Sequence, residues 1–216
     1  MSKTIEETEK QLRALRLHGM GQTLQARCLQ AQQSGTSVTE VLSQLVQDEL
    51  DCRRSKLIER RFHASGLDER KIMQDFDWSF NPRLPKREIF ELVSAKFIQT
   101  AEDALLIGHP GTGKSHIAKA VAHAAIQAGH QVAFRDAQCF FEDIFEASQT
   151  GKRKKILKLF CQSDLLVIDD LFLNKRMSNT ASGDLLDVIL ERYRNRKSTM
   201  ITSNRPVEDW GKLLND

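Results

Sequence analysis

The chain has 216 residues, 40% hydrophobic and 28% charged, with 32 Lys and Arg against 29 Asp and Glu and a formal net charge of +3. That length suits one α/β domain and a small accessory domain, and so mild a charge neither requires nor excludes a nucleic-acid partner, which leaves local basic clusters to decide. The polar opening MSKTIEETEK has no signal core, no apolar run approaches the roughly 20 residues of a membrane span, and the four cysteines have neither Cys-x-x-Cys nor zinc spacing.

A cytoplasmic protein with no membrane partner is expected, with Cys28, Cys52, Cys139 and Cys161 as buried, reduced thiols. Residues 1–66 read as helical throughout. Leu17, Met20, Leu24 and Cys28 recur at spacings of three and four and share one face. Ser34 and Gly35 break the pattern, and Ser37 with Glu40 forms a capping box ahead of an apolar stripe, Val41, Leu42, Leu45, Val46 and Leu50. The helix is expected to run on into Arg53, Arg54, Lys56, Arg60 and Arg61, with Arg53, Lys56 and Arg60 on one face. Two readings of that basic face stand side by side. It is a solvated surface with pairs such as Glu49–Arg53 at i, i+4, or it grips DNA phosphates.

Asn81-Pro82 and Pro85 mark residues 67–85 as a junction leading to a second domain at 86–216. There, short apolar strands are expected at 104–107, 131–135, 165–168 and 198–203. Helices are expected at 114–128, 138–148, 152–161 and 183–194. Alternation of this kind predicts an α/β fold with a parallel sheet and helices on both faces.

Gly108-His109-Pro110-Gly111-Thr112-Gly113-Lys114-Ser115 fulfils G-x-x-x-x-G-K-[ST] between an expected strand and an expected helix. The glycines let successive N–H groups turn inward toward phosphate oxygens, and the following helix start adds its dipole. Lys114 supplies charge to the β- and γ-phosphates of ATP, and Ser115 a hydroxyl to Mg²⁺. Four apolar residues, Leu165 to Ile168, deliver Asp169 and Asp170 to a strand's C-terminal edge, where open α/β sheets bind ligands. Asp169 is placed for Mg²⁺ and Asp170 for the attacking water, and adjacent strand residues point to opposite faces. Met200-Ile201-Thr202-Ser203-Asn204 ends another strand at the same edge, with a polar side chain able to sense the γ-phosphate.

In this order, GHPGTGKS, LLVIDDL and ITSN resemble Walker A, Walker B and sensor 1 of an AAA+ P-loop ATPase. The chain resembles above all the IstB family, helper ATPases of insertion-sequence transposition, which are similar in turn to DnaC and DnaA. LRALRLHGMGQTL, DFDWSFNP and RYRNRKSTMITSNRPVEDWGKLLND carry that likeness across nearly the whole chain. The resemblance implies Mg²⁺-dependent ATP hydrolysis, with Ser115 and Asp169 as metal residues, Asp170 in place of the usual glutamate, and Asn204 as sensor 1. It implies a transposase and double-stranded DNA as partners, and ATP-promoted self-assembly with a trans-acting arginine.

Family members continue past the position of Asp216 into a lid with the sensor 2 region and that arginine. By this likeness the core at 86–216 reads as C-terminally incomplete. Arg192, Arg194, Arg196 and Arg205 are then the candidates for the trans role. The basic segment Lys152, Arg153, Lys154 and Lys155, joined by Lys175 and Arg176, corresponds to the place where initiator-type AAA+ proteins track a DNA backbone. Its phosphate contacts would carry little sequence information. A helicase loader shares every one of these motifs, and a nucleotide-gated DNA-binding module without effective hydrolysis is a further alternative.

Overall fold

The computed structural model describes residues 2–172 and 179–214. The chain divides into two compact units, Met1–Arg60 and Arg61–Asp216.

In the first unit α1 (Ser2–Ala14) packs on α2 (His18–Ser34). The sequence predicts unbroken helix here, and the break comes from Arg16, left-handed at φ 61°. The Leu17 N–H reaches the Leu12 carbonyl at 2.8 Å and the Arg16 N–H reaches Arg13 at 3.0 Å. This is a Schellman closure without its usual glycine, so no sequence signal announced it. Gly35, at φ 65°, closes α2. The expected capping box then opens α3 (Val38–Ser65): the Glu40 N–H donates to Ser37 Oγ at 3.3 Å, and the Ser37 N–H to Glu40 Oε2 at 3.2 Å.

Glu49 of α3 is buried and accepts from the Gly19 N–H at 2.6 Å, the Met20 N–H at 3.3 Å and Arg53 at 2.7 Å. Burial alone would raise its pKa, but these donors hold the carboxyl below its ordinary range. The approach is close enough that a Cβ on Gly19 would lie 2.5 Å from the Asp48 carbonyl oxygen. Of the expected apolar stripe, Leu45 is buried whereas Leu42, Val46 and Leu50 are exposed. Leu45 and Glu49, one turn apart, define the covered face, and the other three lie off it.

The second unit opens with two short helices absent from the sequence reading, α4 (Lys86–Val93) and α5 (Lys96–Thr100). Ala95 and Ala101 flank α5 in left-handed conformations, both at φ 58°. Alanine carries no propensity for that region, so neither boundary is marked in the sequence. The chain continues through β1 (Ala104–Ile107), α6 (Lys114–Gln127), β2 (Val132–Asp136), α7 (Ala137–Gln149) and α8 (Arg153–Gln162). It ends with β3 (Leu165–Leu171), α9 (Asn179–Arg194), β4 (Ser198–Ser203) and α10 (Trp210–Leu214).

All strand pairs are parallel, in the order β1-β4-β3-β2. This is the expected α/β sheet with helices on both faces. Leu166 and Ile168 of β3 pack with Phe140 and Ile144 of α7, Phe160 of α8, and Leu185 and Val188 of α9. Residues 165 and 167 alternate to the opposite face, and α6 packs across β2, β3 and β4 with Val121 and Ile126 fully buried. Phe140 and Phe160 are both fully buried with ring centroids 4.8 Å apart. Truncating either to alanine is expected to cost about 3–5 kcal/mol. This core holds the C-terminal ends of β1, β3 and β4 side by side, which positions the site.

Candidate functional site

Between β1 and α6 the backbone makes a turn that only glycine adopts without strain. Gly111 lies at φ 78° and Gly113, the residue capping α6, at φ 91°. Among the described residues nothing beyond its chain neighbours approaches within 4 Å of the position a Gly111 Cβ would take, whereas a Gly113 Cβ would meet the Phe76 ring at 2.8 Å. Thr112 Oγ1 donates to the His109 carbonyl at 2.8 Å, and Lys114 Nζ donates to the same carbonyl at 3.0 Å. The loop is thus folded on itself around its lysine. It borders a cavity of about 330 Å³ lined by the loop residues Pro110, Gly111 and Gly113, by Lys114, Ser115 and His116 at the start of α6, and by Asp170 and Asn204.

The two aspartates do not alternate as in a regular strand. Ile168 pairs with Ile201 and Leu171 with Ser203, so Asp169 and Asp170 together oppose the single residue Thr202. That is a β-bulge, and Asp170 takes φ 56° within it. The bulge turns Asp170 to the cavity and leaves Asp169 buried at 6% exposure beside β4. Burial pushes the Asp170 carboxyl above its ordinary range, Asp169 and Asp136 push the same way, and Lys114 opposes them.

Asn204, just past β4, also faces the cavity, and its buried Oδ1 has no hydrogen-bond partner among the described residues. A buried acceptor left unpaired costs about 1–3 kcal/mol, so the site is suited to a donor such as a water held there. Lys114, Ser115, Asp170 and Asn204 therefore meet on one cavity. Asp169 lies behind them.

Phe76 and His116 border the loop without belonging to the phosphate-binding motif. The segment before α4 is strapped across α6: Lys119 pairs with Asp68 at 2.8 Å, the His123 ring bonds the Lys71 carbonyl at 3.2 Å, and the His116 ring the Ile72 carbonyl at 3.2 Å. Residues 116, 119 and 123 share a helix face. The strap brings the Phe76 ring against Gly113 and edge-on to His116 at 5.1 Å. The spacing of His116, Lys119 and His123 is the one signal in the sequence that marks this face.

The basic residues divide. Lys152, Lys154 and Lys155 are exposed at the start of α8. Arg153 instead pairs with Asp184 at 2.7 Å, which holds its pKa above the ordinary arginine value. Lys175 and Arg176 lie outside the described residues. On α3, Arg53 pairs with Glu49, while Arg54, Lys56 and Arg60 are exposed.

Arg192 is excluded from a trans role. It is 0% exposed and donates to the carbonyls of Phe160, Ser163 and Ser198 and to the hydroxyls of Ser163 and Thr199. Burial lowers its pKa to about 10. Arg194, Arg196 and Arg205 are exposed. The expectation of four buried thiols also fails, since Cys28, Cys52 and Cys161 are half-buried and Cys139 is exposed. The hydrogen bond of Cys139 to Asp136, followed by desolvation, raises its pKa to about 11, which keeps the thiol protonated and unreactive.

Residues 10–216 match the family described as IstB-like ATP binding protein. The insertion sequence IS5376 putative ATP-binding protein of Geobacillus stearothermophilus is 31% identical over 94% of this chain and 80% of its own length. The insertion sequence IS21 putative ATP-binding protein of Pseudomonas aeruginosa is 26% identical over 98% of this chain and 79% of its own. Among solved structures, the DnaC helicase loader superposes with a TM-score of 0.51 at 27% identity, over 60% of this chain and 79% of that one. The replication initiator DnaA bound to AMPPCP and single-stranded DNA superposes with a TM-score of 0.55 at 19% identity, a likeness of fold. It covers 65% of this chain but only 43% of that one, so this chain spans less than half of DnaA.

Proposed function

Because the chain belongs to the family of IstB-like ATP binding proteins, we propose that this AAA+ protein is a Mg²⁺-dependent ATPase that binds double-stranded DNA and helps a transposase engage its target. The observation that carries the reading is the meeting of Lys114, Ser115, Asp170 and Asn204 on one cavity.

The residues fit a nucleotide with its metal. The left-handed Gly111 leaves open space beside the loop, Lys114 borders the cavity, and Asn204 presents an orphaned acceptor. Lys114 binds phosphate oxygens once its ammonium leaves the His109 carbonyl. Ser115 and Asp169 would hold Mg²⁺, which when bound neutralises phosphate charge. Asp170, its carboxyl made more basic by burial, takes the proton of the attacking water, and Asn204 orients that water through Oδ1. Phe76, packed on Gly113, keeps the loop in its turned form.

The division of labour we infer assigns partner contact to the helical part at 1–66, joined through 67–85 to the ATPase core at 86–216. DNA phosphates would meet Lys152, Lys154 and Lys155, ATP would promote assembly, and an exposed arginine (Arg194, Arg196 or Arg205) would act in trans. No described helix is long and apolar enough to cross a membrane, in keeping with a cytoplasmic site of action. The likeness to the DnaC helicase loader supports a second reading, in which the partner is a helicase.

The test is ATP turnover measured with and without duplex DNA, followed by pull-down with an insertion-sequence transposase and with a replicative helicase. Mg²⁺-dependent turnover stimulated by DNA, with transposase retained, is the expected result. Retention of the replicative helicase instead would establish the loader reading, and absence of nucleotide binding would overturn both.

A further inference from the structure

We propose that Thr202 is a positioning residue for hydrolysis, its single buried hydroxyl setting both strand-end carboxylates at once. The inference rests on the ATPase reading of the same site.

Thr202 is 0% exposed and sits on β4 opposite the bulge. Its Oγ1 accepts from the Asp170 backbone N–H at 2.8 Å and donates to Asp169 Oδ1 at 2.5 Å. A hydroxyl has one proton and two lone pairs, and here the proton and one lone pair are assigned to neighbouring residues of β3. In a regular parallel ladder the Asp170 N–H would bond a backbone carbonyl of the adjoining strand. The bulge removes that partner, and the Thr202 hydroxyl replaces it. Asp170 is thereby held at φ 56°, a left-handed conformation costing a non-glycine residue about 1–2 kcal/mol unless its surroundings impose it. The same hydroxyl orients the buried Asp169 carboxylate.

The chemistry needs a side chain that donates and accepts from one atom. Valine has the shape of threonine but does neither, serine does both without the methyl group, and alanine does neither and leaves a void. Ser203, the next residue on β4, donates its Oγ to the Leu171 carbonyl at 2.7 Å and picks up the ladder after the bulge. Two consecutive hydroxyl residues thus carry the irregular stretch of β3 that regular backbone pairing does not.

The experiment compares the parent chain with Thr202→Val and Thr202→Ser. The first readout is amide hydrogen exchange at Asp170 without nucleotide. Protection is expected in the parent and in Thr202→Ser, and a loss of about tenfold or more in Thr202→Val. The second is nucleotide affinity with and without Mg²⁺, together with kcat and KM. In Thr202→Val, Mg²⁺-free affinity should stay within about twofold while kcat falls by roughly tenfold or more, the penalty of a misplaced catalytic group. Thr202→Ser should return both to near the parent. A Thr202→Val chain with parental exchange and kcat overturns the proposal. So does a folded Thr202→Ser chain as impaired as Thr202→Val, since the methyl group would then be what matters. Should Thr202→Val not fold, exchange in the parent decides, and an Asp170 amide exchanging as freely as an exposed loop overturns it. A nucleotide affinity indifferent to Lys114→Ala would defeat the ATPase reading instead, and the nucleotide-free exchange measurement keeps the two failures apart.

Discussion

The Arg153 guanidinium donates to the Asp184 carboxylate at 2.7 Å and so ties the first turn of α8 to α9. One member of the basic run is therefore committed inward, while Lys154 and Lys155 beside it are exposed. Each phosphate contact on duplex DNA contributes about −0.9 to the slope of log affinity against log salt. Lys154→Ala with Lys155→Ala is expected to flatten that slope by up to about 2 per subunit, equally on two unrelated duplexes. Arg153→Ala is expected to lower thermal stability and to change the slope little. Fluorescence anisotropy against salt, with Arg53, Lys56 and Arg60 replaced by alanine as the control, makes the measurement. A parental slope in the double mutant with loss in the triple mutant would move the DNA contact to α3.

Lys114→Ala is expected to weaken ATP by at least about tenfold, or 1.4 kcal/mol, measured with a fluorescent analogue. The ammonium borders the cavity and is held by one loop carbonyl, 3.0 Å from His109 O. Folding should survive, because that bond ties the loop only to itself.

Asp170→Asn is expected to keep nucleotide affinity and to slow turnover by about 100-fold or more, the range of general-base contributions. Asp169→Ala, at the buried position of the bulge, is expected to lose the Mg²⁺-dependent part of the affinity. Stopped-flow binding with and without Mg²⁺, beside steady-state phosphate release, separates the two. Parental turnover by Asp170→Asn would move the base elsewhere.

Arg192→Leu is expected to cost roughly 3 kcal/mol or more in denaturant midpoint analysis. The guanidinium satisfies the carbonyls of Phe160, Ser163 and Ser198 inside the core, and each buried acceptor left without a donor costs about 1–3 kcal/mol. An unchanged midpoint with lost ATPase activity would contradict the buried placement.

Asp164 accepts from the Gln131 N–H at 2.9 Å and from Lys197 at 2.7 Å. Burial would raise its pKa, but these two donors, with His130 nearby, outweigh it and hold the carboxyl below the ordinary value of 3.8. A lowered folded value means stability that is present above 3.8 and lost as pH falls through the folded value. Asp164→Asn should therefore lower the melting temperature at pH 7 by about 2–4 °C, equivalent to about 1 kcal/mol. The difference should close only once the pH has fallen below that lowered folded value, where both side chains are neutral. Melts across pH check it, and a difference that persisted in acid would assign the effect to geometry instead of charge.

The order of elements from β1 to β4, the strands β1 and β4 to the residue, and the glycine turn ahead of Lys114 were legible in the sequence alone. Each is written in local terms: apolar runs of strand length, a helical period, glycines where φ must be positive. What lies far apart in sequence was not legible. Arg192 reads as one more surface arginine until α8 and β4 close around it. Arg153 reads as one lysine-like charge in a run until Asp184, 31 residues on, takes it. LLVIDDL reads as a regular strand whose aspartates alternate. The bulge that turns Asp170 to the cavity comes from pairing with Thr202, and pairing register is a property of two strands, not of one. The sequence by itself thus determined which residues were available to the site, because motif and periodicity are short-range. Only the tertiary structure decided which of them face it, because burial and hydrogen-bond partners are set by the neighbours that folding brings.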